Sequence, residues 1–144
     1  MNLLYEKIIR PLLFKLEAER AHQIAAFSMR MLGKAGPLRG LTAYYCQTKS
    51  SPVRLFGLDF PNPVGLAAGM DKNGEFIKSA FALGFGHVEI GTITPQRQLG
   101  NARPRLFRYP SVNGIVNRMG FNNDGAEIVA DRIKRNYPKG KRNA

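Results

Sequence analysis

Leu4, Ile8, Leu12 and Leu16 recur at four-residue steps with Tyr5, Ile9 and Leu13 beside them, while Glu6, Lys7 and Arg10 occupy the other side. That spacing predicts an amphipathic helix over residues 3–16. Pro11 lacks a backbone N–H and its ring crowds the preceding turn, so two short helical pieces are expected rather than one. Ala21, Ile24, Ala25, Ser28 and Leu32 mark one face of a second helix, roughly 19–33, stopped at Gly33. Together they predict an amphipathic helical hairpin over residues 1–34. Gly36, Pro37, Gly40, Ser50, Ser51 and Pro52 break the pattern and predict a linker over residues 35–52.

Beyond residue 52 the pattern changes to short apolar stretches. Two of them around Gly57 predict a small hairpin, and residues 63–68 form a continuous apolar run. A strand without polar alternation is expected to be buried on both faces, as in a parallel sheet. Phe76, Ile77, Ala80 and Phe81 mark a helix over 73–83 with Asn73 as its cap, and residues 87–92 (HVEIGT) predict a second strand. Strand, helix and strand make a βαβ unit, which places the chain in the α/β class and puts ligand groups at the strands' C-terminal ends. A loop over 93–104, two extended segments at 105–109 and 114–117, and a helix over 123–136 capped by Asn122 or Asn123 complete the pattern.

Length and charge narrow the possibilities. At 144 residues and 44% apolar content, the chain has room for about one ordinary domain. A closed eightfold β/α barrel typically needs ~250 residues. The net charge of +12 divides unevenly: +6 over residues 1–54, −2 over 55–96 and +8 over 97–144. Basic flanks admit nucleic acid, anionic lipid or small anionic substrates as partners. The single cysteine, Cys46, excludes an internal disulfide. No apolar run approaches the ~20 residues of a membrane span, and no secretory cleavage pattern is expected.

Three segments carry candidate chemistry. In GLAAGMDKNGE (65–75), Gly65 and Gly69 allow backbone to approach a flat ligand, and Lys72 supplies a cation at the end of a strand. A tight turn with Asp71 and Lys72 in solvent is the alternative reading. The spacing matches neither a Walker loop nor a dinucleotide-binding glycine turn. In EIGTITPQ (89–96), Thr92 offers a hydroxyl at a strand tip. In NRMGFNNDG (117–125), Asn117, Asn122 and Asn123 can both donate to and accept from a heterocycle, with Met119 and Phe121 excluding water. An asparagine-rich loop that caps a helix is the competing reading.

Taken together, GLAAGMDKNGE, GFGHVEIGTITPQ, NARPRLFR and NRMGFNNDGA, preceded by ERAH (19–22), closely resemble the membrane-associated, quinone-using class of dihydroorotate dehydrogenases. The resemblance runs from about residue 5 to about residue 138. It implies an FMN-containing (β/α)8 TIM barrel, incomplete here, that oxidises (S)-dihydroorotate to orotate in pyrimidine (UMP) biosynthesis and reduces a membrane quinone. Residues 53–144 would be its first β/α units. The family's flavin contacts fall on Ala68, Gly69, Met70, Asp71, Lys72 and Thr92, and its substrate contacts on Lys72, Asn117, Arg118, Met119, Gly120 and Phe121. His22 and Arg108 match polar positions of the quinone tunnel. No metal and no nucleic acid are implied. A monomer bound peripherally at the cytoplasmic face of a bacterial membrane is implied instead. The family's serine base falls beyond residue 144, so these residues are expected to be an inactive N-terminal fragment, with strand edges exposed at Val64, Leu66, Val88 and Ile90. A non-catalytic basic module that binds anionic membrane or nucleic acid is the alternative.

Overall fold

A computed structural model describes residues 3–47 and 51–136. Residues 1–2, 48–50 and 137–144, which include the basic tail from Lys139 onward, lie outside the described residues. In chain order the elements are a π-helical turn (Tyr5–Ile9), α1 (Arg10–Phe14), α2 (Ala18–Lys34), α3 (Gly36–Tyr45), β1 (Val53–Leu55), β2 (Leu58–Phe60) and β3 (Gly65–Leu66). Then follow α4 (Ile77–Ala82), β4 (His87–Val88), β5 (Leu106–Tyr109), β6 (Gly114–Asn117) and α5 (Ala126–Asn136).

The N-terminal region departs from the expected hairpin in two ways. Pro11 does not divide the first helix. Ile9 and Arg10 both keep right-handed helical dihedrals, and the hydrogen-bond register changes from π to α around the proline, which sits in the first turn of α1. A wider turn accommodates a residue that cannot donate. The expected linker also contains a ten-residue helix, α3. Pro37 occupies its first turn, where a missing N–H costs nothing, so the Gly36-Pro37 pair starts a helix instead of breaking the chain. Arg39 Nη1 donates to Gly33 O at 2.5 Å, fixing the turn between α2 and α3. Both helices pack against α4. The start of α2 is capped by Glu17, whose carboxylate accepts from the Glu19 and Arg20 amides at 3.0 and 3.1 Å.

The βαβ unit is present in short form. β3 pairs parallel with β4, with Gly65 opposite His87 and Leu66 opposite Val88, and α4 connects them. A side chain at Gly65 would collide with the His87 ring, which explains glycine there. The expected burial on both faces is not reached: Val64 is 59% exposed, and Leu66, Val88 and Ile90 are half-buried. Among the described residues each of these strands has a single neighbour, too little to cover two faces. β1 and β2 form the expected hairpin, its turn made by Phe56 and Gly57 at φ 53° and 74°. β5 and β6 form a second antiparallel pair, closed through Pro110–Val112 and a left-handed Asn113.

The core lies under α4 and α5, where Phe76, Ile77, Ala80, Ala82 and Val129 are buried. Asn73 does not cap α4. No side chain caps it; Asp71, 1% exposed, ties the turn that leads into it, its two carboxylate oxygens accepting from the Glu75 and Phe76 amides at 2.8 and 3.0 Å. Asn73 instead bridges to α5, accepting from the Asp124 amide at 3.0 Å and receiving Arg132 Nη1 on its carbonyl at 2.7 Å. α5 begins at Ala126, later than expected, and of the two cap candidates Asn123 shapes the turn before it, accepting from Gly125 N at 2.9 Å and from Thr94 N at 3.2 Å.

Asp71→Ala should destabilise the chain by about 1–3 kcal/mol, because a buried and a part-buried amide lose their acceptor. Asp71→Asn should cost less, since one oxygen remains. Chemical denaturation checks this, and an Ala variant as stable as the parent would refute it.

Candidate functional site

The C-terminal end of β3, the segment after β4 and the β5–β6 hairpin converge on one cleft of about 670 Å³. Its walls are Ala68, Gly69, Met70, Lys72, Gly91 and Thr92 on one side, and Leu106, Ile115 and residues 117–121 on the other. His22 enters from α2. The size suits a small-molecule or cofactor site.

Gly69 forms part of the floor. It has φ +97°, and its amide donates to Gly91 O at 2.8 Å, joining the two strand ends. Lys72 follows, with Nζ donating to Gly69 O at 2.7 Å. An ammonium carries three donors, so two remain for a ligand. Burial, then the charge of Arg105, hold the Lys72 pKa below the ordinary lysine range, while Glu19 opposes the shift. His22 is likewise lowered, first by burial and then by Lys72, again opposed by Glu19. Lys72 and His22 thus share one partly desolvated space, in which burial and the lysine charge disfavour protonation of the imidazole.

The opposite wall is a loop held rigidly. Arg118 N donates to Arg105 O at 2.9 Å, and its guanidinium reaches Pro104 O at 3.1 Å. Asn117 Oδ1 accepts from Met119 N at 3.4 Å, leaving its Nδ2 without a partner among the described residues. Gly120, at φ +71°, lies against Asn101, where a β-carbon would come within 2.8 Å of the Asn101 amide. Gly100 is equally constrained, since a β-carbon would sit 2.2 Å from Met119 O. Phe121 is 64% exposed at the rim, a large apolar surface beside the cleft.

Eleven of the thirteen residues singled out from the sequence meet here: His22, Ala68, Gly69, Met70, Lys72, Thr92, Asn117, Arg118, Met119, Gly120 and Phe121. Asp71 is not among the cleft residues, its side chain being committed to α4. Arg108 is also elsewhere. Its guanidinium donates to Leu13 O at 3.1 Å and Leu16 O at 2.5 Å and lies 4.6 Å from the centre of the Phe14 ring. It fastens the end of α1 to β5, at the junction of the N-terminal helices and the hairpin.

Comparison with known proteins decides the relationship. The family model for dihydroorotate dehydrogenase matches residues 51–144. The chain belongs to the dihydroorotate dehydrogenase family. A relative named dihydroorotate dehydrogenase (quinone) from Methylococcus capsulatus is 48% identical over 138 residues, which span 96% of this chain and 40% of that protein. One from Cellvibrio japonicus is 53% identical over 130 residues, 90% of this chain and 37% of that protein. The chain thus spans about two-fifths of the length of these relatives. Among solved structures, dihydroorotate dehydrogenase from Eimeria tenella in complex with ferulenol superposes with a TM-score of 0.66 at 38% identity, covering 81% of this chain and 30% of that one. The α/β class and family expected from the motifs are therefore correct.

Residues without an obvious chemical signature were missed. Leu106 and Ile115 line the cleft. Leu106 and Ile115 alternate with outward positions in β5 and β6, and only the pairing of the strands brings them together. Glu19, buried against Arg105 and Arg103, was also missed; an acid in the ERAH segment gave a weak signal because charged residues usually face solvent.

Lys72→Met should raise the His22 pKa toward, but short of, the ordinary histidine range, because the neighbouring charge disappears while burial persists. NMR titration of the His22 ring checks it, and an unmoved pKa would refute it. With a lowered folded-state pKa, His22 takes up its proton first in the unfolded chain, so stability should fall as pH drops through the ordinary histidine range. The fall should be shallower in Lys72→Met.

Proposed function

We propose that these residues form the cofactor-facing and substrate-loop part of a quinone-dependent dihydroorotate dehydrogenase, which oxidises (S)-dihydroorotate to orotate. The observation that carries this reading is the convergence of Lys72, Asn117 and the 68–70 turn on a single cleft whose other walls mix His22, Thr92 and Arg118 with apolar side chains.

The cleft fits FMN in shape and chemistry. Gly69 and Ala68 leave room for a flat ring system to lie against backbone, and the Lys72 ammonium favours the negative charge of a reduced flavin. When bound, FMN would supply a two-electron acceptor for the dihydropyrimidine and a donor for a quinone. Lys72 would also meet the substrate carboxylate, and Asn117 would hydrogen-bond the ring through its unengaged amide nitrogen. Arg118, Met119, Gly120 and Phe121 would close over the substrate and exclude water.

The quinone would approach from the N-terminal helices. Leu4, Ile8 and Leu12 are 55%, 53% and 57% exposed, and Phe27, Met31, Leu38 and Leu41 add further exposed apolar surface on α2 and α3. Such a surface, bordered by Lys7, Arg20 and Lys34, suits a helix set lying in the headgroup region of an anionic membrane. No helix among the described residues is long and apolar enough to cross a bilayer. His22 at the cleft and Arg108 at the foot of α1 stand between that surface and the flavin side. In the family reading residues 1–144 supply ligand contacts, and the serine base is none of them.

Titrating the 144-residue chain with FMN and then with orotate should perturb the NMR signals of residues 68–72, 92 and 117–121. Lys72→Ala should weaken orotate binding by about tenfold or more, the worth of a charge-assisted hydrogen bond. Absence of perturbation by either ligand would refute the binding role, and dihydroorotate-dependent dye reduction by the chain alone would refute the division between binding and turnover.

A further inference from the structure

Behind the main cleft lies a smaller cavity of about 190 Å³ that shares His22, Met70, Lys72 and Met119 with it. One side of it is a buried ion pair. Glu19 and Arg105 are 3% and 5% exposed and stand 86 residues apart in sequence. Arg105 Nη2 donates to Glu19 Oε1 at 2.7 Å, and Nε donates to both carboxylate oxygens at 3.2 Å. The remaining nitrogen does something else. Arg105 Nη1 donates to Leu99 O at 2.7 Å and to Asn101 O at 3.1 Å, with Met119 O at 3.5 Å. Arg103, more exposed, adds a single contact to Glu19 Oε1 at 3.0 Å.

One guanidinium thus holds α2 with one edge and the loop against the 117–121 wall with the other. His22 lies one helical turn after Glu19, on the same face of α2, so whatever fixes Glu19 also fixes where the imidazole enters the cleft. Arg105's own carbonyl accepts from the Arg118 amide, carrying the same constraint into the substrate wall. We propose that Glu19 and Arg105 are positioning residues that couple the docking of α2 to the geometry of the 117–121 wall, so that the two sides of the cleft are set together. Functionally this rests on the reading of the cleft given above, whereas the coupling itself is a property of the chain.

Amide hydrogen exchange of the full 144-residue chain separates the two. Glu19→Gln should accelerate exchange by about tenfold both in α2 and at the Arg118 amide, since a buried arginine loses its counter-charge and the clamp loosens. Arg103→Ala should leave Arg118 unchanged. The deciding variant is Glu19→Leu with Arg105→Met, which removes both charges and restores an apolar contact. A merely structural pair would then recover protection everywhere, whereas a positioning pair should recover it in α2 and leave Arg118 exchanging fast, because the Leu99 and Asn101 carbonyls have lost their donor. Unaltered Arg118 exchange in Glu19→Gln, or full recovery in the double variant, would overturn the proposal. Orotate affinity gives the functional arm: the double variant should bind about tenfold more weakly than the parent. If the parent binds no orotate, the reading of the cleft fails while the exchange result still decides the coupling. If the parent binds and the double variant binds equally well, the coupling has no role in the cleft and the proposal falls.

Discussion

A carboxylate and a guanidinium withdrawn from water must find partners for nearly all their hydrogen-bonding groups, and that requirement at Glu19 and Arg105 governs how the two halves of the chain meet. Breaking such a pair is far more damaging than never having formed it, because the surviving charge is left in a poorly solvating interior. The neighbouring arginine and the strong hydrogen bonds from Arg105 keep the Glu19 pKa below the ordinary carboxylate range despite burial. The pair holds α2 against β5.

A second constraint operates on the other wall. Asp71 gives both oxygens to the Glu75 and Phe76 amides just before α4, so the turn between β3 and α4 is closed by the residue immediately before Lys72. Lys72 then bends back to Gly69 O. Carboxylate and cation are adjacent in sequence but have opposite destinations, one into the core and one into the cleft. Gly100 and Gly120 play the equivalent part opposite, where only the absence of a β-carbon lets residues 99–105 lie against 117–121. The cleft is built from turns, each tied to a short regular element by a few specific hydrogen bonds.

Local chemistry was legible where a residue type has few uses. The glycine and lysine of the 65–75 segment and the amides of the 117–123 segment pointed to their places, and the family followed from the order of the motifs. Residue types with several uses misled. Gly36 and Pro37 serve linkers and helix starts alike, and the packing of α3 on α2 and α4 chose the helix. Asn73 and Asp71 are both good caps, yet neither caps α4: Asp71 gives its two oxygens to the amides of the turn before the helix, while Asn73 accepts from the Asp124 amide and Arg132 on the α5 side.

What the sequence determined by itself is the class of structure and the inventory of the cleft, because hydrophobic period, turn residues and the order of motifs are local properties. Only the tertiary structure decided which of those residues share one space. Asp71 and Arg108 sit within four residues of cleft positions yet spend their side chains on the turn before α4 and on the foot of α1. Leu106, Ile115 and Glu19 have no local mark, and became part of the site or its support through pairing and burial between residues distant in the chain. Burial is settled by all neighbours at once, and no stretch of sequence specifies it alone.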